Sequence, residues 1–296
     1  MEHASGRHPA SRSGLPEASG QPPASRSGLP EASGQPPASR SGLPEASGQH
    51  GTPPVFVCEP AQLGQDLITL TGQEGRHATT VRRLAPGERV DVTDGAGHLA
   101  RCRVTGARPD RGELDLAVLG RRDEPEPACR VVVAQAILKG DRGELAVELM
   151  TEVGIDVIVP WAAERCVARW RPDREDKALA RWRSAAVTAA KQSRRARFPE
   201  VTGPARTVGV AARASMASLA LLLDPLADDR LTAVSFPRNG EIVLIVGPEG
   251  GVSAAESADL TAAGAVRVRL GPTVLRGSTA GAVAGAIALG GCGRWG

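Results

Sequence analysis

The stretch LIVGPEGGVSAAE, residues 244–256, decides how this chain is read. Leu244, Ile245 and Val246 close the run EIVLIVG, which is apolar at nearly every position. Such a run is a strand buried on both faces, the pattern of a parallel sheet covered by helices. It stops at Gly247-Pro248, and Ser253 and Glu256 then stand at capping-box spacing, so a helix starts directly after. A glycine-rich corner between a buried strand and a capped helix lies at the carboxyl edge of its sheet, where open α/β folds bind ligands. Glycine permits close approach to the backbone there. The corner carries neither Gly-Lys-Ser/Thr nor G-x-G-x-x-G, which excludes a Walker A loop and the dinucleotide fingerprint. Alone, it is a ligand loop of another kind or simply a tight turn before a helix.

A second corner changes that balance. VRVRLGPTVLRGSTAG, residues 266–281, again runs strand, Gly-Pro, loop and helix. Two Gly-Pro corners at adjacent strand ends make one pocket of main-chain amides and carbonyls, suited to a flat base with polar edges. Arg276 in the second corner has the fork that grips a carboxylate or phosphate.

Working outward, RVVVAQAIL (130–138), IDVIVPW (155–161), LALLLD (219–224) and AVRVRLG (265–271) are further buried strands. GELAVELMTEVG (143–154), the basic segment 174–195, SAAESADLTAAG (253–264) and TAGAVAGAIALGG (279–291) have helical patterns between and after them. The last is uncharged but too short and too rich in small residues to span a membrane, so it reads as a tightly packed helix. Upstream, DLITLTG (66–72), RVDVTDGAG (89–97), LARCRVTGA (99–107) and ELDLAVLG (113–120) alternate apolar and polar residues, with a hairpin expected at 94–97 and a short helix in 75–90. This is a small β-barrel-like domain, residues 54–125, joined through the charged linker RRDEPEP (121–127) to the α/β domain, 126–296. Residues 1–53 carry a fourteen-residue unit, PASRSGLPEASGQP, three times with one change, and their Pro, Ser and Gly content predicts a disordered tail.

Charge is concentrated. Between residues 165 and 197 nine arginines and two lysines face three acids, although the whole chain carries only +3. That is the footprint of a polyanion site, or else a solvated helix face. Five scattered cysteines, none in C-x-x-C spacing, argue against zinc or a disulfide framework and fit a reducing cytoplasm. Aromatic residues are only 2%, so base stacking would fall to Trp161, Trp170 or an arginine plane, with plain packing the preferred reading of each tryptophan.

The two corners together resemble the C-terminal signature of the SPOUT RNA methyltransferases, specifically the RsmE family, which methylates N3 of a uridine in 16S ribosomal RNA. The resemblance extends to LKGDRGELAVELMTEVGIDVIVPWAAERCVARW (138–170), to AAKQSRRARFPEV (189–201) and to the PUA-like segment beginning at Gly75. It implies an α/β fold with a C-terminal trefoil knot behind a PUA-like domain, S-adenosylmethionine bound in the knot without a metal, and a homodimer acting on the small ribosomal subunit. It places cofactor contacts on Leu222 and Leu223, on Val246, Gly247, Pro248, Glu249, Gly250 and Gly251, and on Leu270, Gly271, Val274, Leu275, Arg276 and Thr279. It turns Arg195 and Arg197 toward RNA, and Arg165, Arg169 and Lys191 of the basic segment are expected to join them. The family's Leu-Arg-Thr-Glu-Thr-Ala is Leu275-Arg-Gly-Ser-Thr-Ala280 here, so any role of that glutamate falls on Ser278 or is lost.

Uridine N3 must lose a proton before it attacks a sulfonium methyl group. Arg276 or a helix N-terminus can stabilise the developing anion. Glu249, the acid inside the loops, is either the proton acceptor or, the preferred reading, an acceptor of backbone N–H bonds that shapes its loop. Two other classes stay open: a non-enzymatic RNA-binding protein, and a nucleotide-cofactor enzyme unrelated to RNA. A SPOUT enzyme acting on another rRNA or tRNA nucleotide is a third alternative.

Overall fold

Eleven strands in two sheets carry residues 52–296, the part of the chain that the computed structural model describes. The repeat segment lies outside the described residues. The first sheet joins β1 (Val55–Val57), β2 (Leu67–Leu70), β3 (Arg89–Thr93), β4 (His98–Arg108) and β5 (Glu113–Asp123) in the order β1-β3-β4-β5-β2, with β1–β3 the one parallel pair. The expected hairpin joins β3 to β4, and its turn holds Gly95 and Gly97 at φ of +75° and +107°, angles that favour glycine. The expected helix is α2 (Gly72–Arg76), which continues as a π turn to Val81 and follows the single-turn α1 (Pro60–Leu63). Phe56, Ile68, Leu70, Val90, Val92, Val104, Leu114 and Leu116 form one apolar core. The linker expected at 121–127 is shorter in fact, because residues 121–123 complete β5.

The second sheet contains β6 (Cys129–Ala136), β7 (Val157–Trp161), β8 (Glu200–Val201), β9 (Leu219–Leu223), β10 (Gly240–Val246) and β11 (Val266–Val268). Its order is β11-β9-β10-β6-β7-β8, and every pair is parallel. The near-continuous apolar runs follow from covering both faces. Val131, Val133, Ile242 and Leu244 pack toward α3 (Arg142–Val153), α4 (Glu175–Gln192) and α7 (Gly277–Gly291). Their neighbours Val132, Ala134, Val243 and Ile245 pack toward α5 (Thr207–Met216) and α6 (Ala254–Ala262). Each such valine, leucine or isoleucine side chain, fully buried, contributes about 1.5–3 kcal/mol.

α7 lies close on this sheet because its glycines allow it. A Cβ on Gly281 would stand 2.9 Å from Met150 Sδ, and one on Gly285 2.5 Å from Ile155 Cδ1. No helix among the described residues is long and apolar enough to cross a membrane. The strand order reverses at β6: the chain moves outward through β7 and β8, then returns to build β9, β10 and β11 on the other side. The carboxyl ends of β9, β10 and β11 therefore open together beside that switch point.

Candidate active site

The cleft grows from the two corners. β10 ends at Val246, and the chain turns through Gly247-Pro248-Glu249-Gly250-Gly251, with the Gly251 N–H donating to the Pro248 carbonyl at 2.9 Å. Gly251 has a φ of +73°, and a Cβ on Gly247 would stand 2.7 Å from Val252 Cγ2. The second corner leads from β11 through Leu270, Gly271, Val274 and Leu275 to Arg276, the N-cap of α7. The corners touch: a Cβ on Gly277 would stand 3.5 Å from the Gly247 carbonyl oxygen and 3.0 Å from Leu138 Cδ2. The end of β9, Leu222 and Leu223, closes the third wall.

Together they enclose about 580 Å³, within the roughly 300–1,000 Å³ range of small-molecule sites. Main-chain groups of two loops and the open first turn of α7 supply polar edges, while leucines and valines supply the walls. Every cofactor residue expected from the sequence lines this cleft except two. Gly250 faces away, and its missing Cβ leaves 3.1 Å to the Arg165 carbonyl oxygen. Thr279 sits half-buried on α7 outside the lining.

The acids in the cleft differ in what they already hold. Asp224 is committed: Arg267 donates to its Oδ2 at 2.8 Å, and the Leu226 N–H donates to its Oδ1 at 2.8 Å. Glu249 meets only Arg142, at 3.5 Å, and accepts no backbone N–H bond among the described residues, so the loop-shaping reading gives way. Arg142 was not anticipated. It sits on α3, 107 positions before Glu249, with no local signal joining them. Ser278 is buried at 4% exposure in the cleft wall.

Glu256 does more than cap α6. Its carboxylate accepts from the Glu164 N–H at 2.8 Å, the Thr207 hydroxyl at 2.7 Å and the Ser253 N–H at 3.3 Å. Burial alone would push this carboxyl up, but those bonds outweigh burial and hold it below the ordinary carboxylate value. It thereby anchors the loop that brings Arg165 to the cleft.

The cations expected to face RNA divide. Arg165 lines the cleft, and Arg169 is exposed on the same loop. The other three turn inward. Lys191 donates to both Glu74 carboxylate oxygens at 2.6 and 2.8 Å, tying α4 to α2. Arg195 donates to the Thr151 and Ile155 carbonyls at 2.9 and 2.8 Å, and burial pushes its guanidinium down to about 10, Asp156 opposing. Arg197 donates to the Glu124 carbonyl at 2.8 Å. Trp161 is fully buried with its Nε1–H on the Thr207 hydroxyl, so stacking on it is excluded, while Trp170 stays half-buried.

Comparison with known proteins agrees with this geometry. A family model described as an RNA methyltransferase domain matches residues 124–289, and one described as an RNA methyltransferase PUA domain matches residues 70–117. Ribosomal RNA small subunit methyltransferase E of Mycobacterium bovis is 48% identical over 75% of this chain and 86% of its own length. The Bacillus subtilis protein of that name is 26% identical over 72% and 86%. The crystal structure of ribosomal RNA small subunit methyltransferase E from Neisseria gonorrhoeae, bound to S-adenosyl methionine, matches with a TM-score of 0.71 at 28% identity, over 81% of this chain and 98% of that one. On these grounds the chain belongs to the RsmE family of ribosomal RNA small subunit methyltransferases.

Proposed function

We propose that this protein methylates N3 of one uridine of 16S ribosomal RNA within the small ribosomal subunit, in the cytoplasm, as a homodimer. It is an S-adenosylmethionine-dependent rRNA methyltransferase. In this reading residues 54–125 form an RNA-contacting PUA-like domain and residues 126–296 the catalytic domain. The observation that carries it is the cleft where two Gly-Pro corners meet at Gly247 and Gly277. The cleft fits the cofactor: glycines leave the room a Cβ would fill, main-chain groups match a purine's edges, and Leu222, Leu223, Val246, Leu270 and Leu275 exclude water. When bound, S-adenosylmethionine supplies an electrophilic methyl group on a sulfonium.

The chain's own groups do the rest. Glu249 takes the N3 proton, being the cleft acid held only by a 3.5 Å contact to Arg142, whereas Asp224 is bonded at both oxygens. Arg276 and the N-terminus of α7 face the charge that develops on the uracil ring. Ser278 lies in the wall and carries no proton-accepting role. The knot is supported by the β9–β10 connection, which meets the chain on both sides of the second corner. Leu231 N–H donates to the Arg269 carbonyl at 2.9 Å, and the Phe236 ring occupies the space a Gly291 Cβ would need. The dimer is supported by apolar residues left exposed on neighbouring helices, Leu145 on α3 and Val283 on α7, at 43% and 37% exposure.

The test is transfer of labelled methyl from S-adenosylmethionine to purified 30S subunits, followed by digestion to nucleosides. The label is expected in 3-methyluridine. Label in any other nucleoside would assign a different target, and no transfer to 30S or to naked 16S rRNA would refute the reading.

A further inference from the structure

With Lys191, Arg195 and Arg197 used internally, five of the basic segment's remaining cations gather at the other end of α4. Arg169, Arg171, Arg174, Lys177 and Arg181 line a groove of about 700 Å³ that no acid lines, and Trp170 lies among them. Arg171 and Lys177 make no ion pair among the described residues, and Arg174 meets only the exposed Asp173 at 3.7 Å. Arg174, the N-cap of α4, and Lys177 and Arg181 on the helix fall three and four positions apart. Trp170 is fixed from behind: Trp182, 3% exposed, packs against it in a T-shaped pair with centroids 5.3 Å apart.

The groove joins the cleft by two routes. Arg165 and Arg169 sit four positions apart on one loop and line the cleft and the groove respectively. Arg181 meets Glu144 at 3.4 Å in the first turn of α3, and two positions earlier Arg142 meets Glu249 in the cleft. Five cations around an aromatic ring, two of them also paired to acids outside the lining, match a polyanion whose bases are free to stack. That is single-stranded nucleic acid. A uridine whose N3 must be reached is itself unpaired or extruded, so its flanking strand is open at that point.

We infer that this groove holds the single-stranded RNA flanking the target uridine, with its phosphates on Arg169, Arg171, Arg174, Lys177 and Arg181 and one base against Trp170. The inference rests on the methyltransferase reading above. The test is filter binding of 16S rRNA to the full chain from 50 to 200 mM salt, with S-adenosylhomocysteine affinity measured alongside.

Arg171→Ala with Lys177→Ala is expected to weaken binding ten-fold or more. It should flatten the log–log salt slope by about 1.4, roughly 0.7 per contact on a single strand. Cofactor-product affinity stays at wild type. Arg230→Ala with Arg238→Ala, which removes equal charge between β9 and β10, should leave the slope unchanged. Trp170→Phe should stay near wild type, and Trp170→Leu, judged only if it binds S-adenosylhomocysteine normally, should lose five-fold or more. A wild-type slope in the Arg171/Lys177 variant, or an equal loss in the control, overturns the groove. Wild-type protein that neither binds nor methylates rRNA would instead sink the reading beneath it.

Discussion

Glu249 and Arg195 show how far a residue's chemistry follows from its place in the sequence. The glycine-rich loop announced that Glu249 borders a cleft at the sheet edge. It could not announce Arg142, because that contact spans 107 positions and depends on how α3 is laid on the sheet. With its oxygens otherwise uncommitted, Glu249→Gln should lower kcat on 30S subunits about 100-fold, within the range of general-base losses, while S-adenosylhomocysteine affinity stays within two-fold. Unchanged kcat would remove Glu249 from the chemistry. A run of arginines reports sign but not direction, which is why Arg195 looked like an RNA contact. Its guanidinium instead satisfies two backbone carbonyls, one at the end of α3 and one in the link from α3 to β7. Arg195→Ala should therefore cost about 1–3 kcal/mol in urea denaturation, by leaving those acceptors unpaired, without altering the salt slope of rRNA binding. Unchanged stability with a flattened slope would restore the RNA role.

Elements with long, two-faced apolar runs or clear caps were legible. β6, β7, β9 and β10 announced themselves because both faces are buried, and α3 ends at Gly154, whose φ of +112° is a left-handed cap. β11 corrects the reading of a buried strand: it is an edge strand in which Val266 is 46% exposed and only Val268 is buried. α5 was missed: of its ten residues only Val210 and Ala214 are buried, too little for a visible period. β1 and β8, three and two residues long, have no period at all. The capping box at Ser253 was legible as a helix start, but the second use of Glu256, holding the Arg165 loop, was not, since Glu164 and Thr207 lie far off in sequence. Because the folded-state Glu256 value lies below its ordinary 4.5, the stability it contributes is complete above that pH and lost as pH falls through the folded value. Glu256→Gln should thus lower stability by about 1–3 kcal/mol at pH 7, and the gap to wild type should close below pH 4.5. A gap independent of pH would contradict the assignment of charge to this contact.

At the scale of the molecule, the corners alone said that something flat binds at a sheet edge. The resemblance of several ordered motifs supplied the chemistry, and the tertiary fold brought Arg142, Asp224 and Arg165 to the same cleft. The proposed homodimer, with α3 and α7 as its interface, predicts that Leu145→Glu shifts the protein to a monomer in light scattering with a large loss of methylation; a dimer of wild-type mass would place the interface elsewhere. The central claim, that this chain marks one uridine of the small-subunit RNA, is tested most directly by mass spectrometry of 16S rRNA from a strain lacking the gene. A single 3-methyluridine is expected to vanish and to return with the wild-type chain but not with Glu249→Gln, whereas a 16S methylation pattern identical to the parent's would contradict the account.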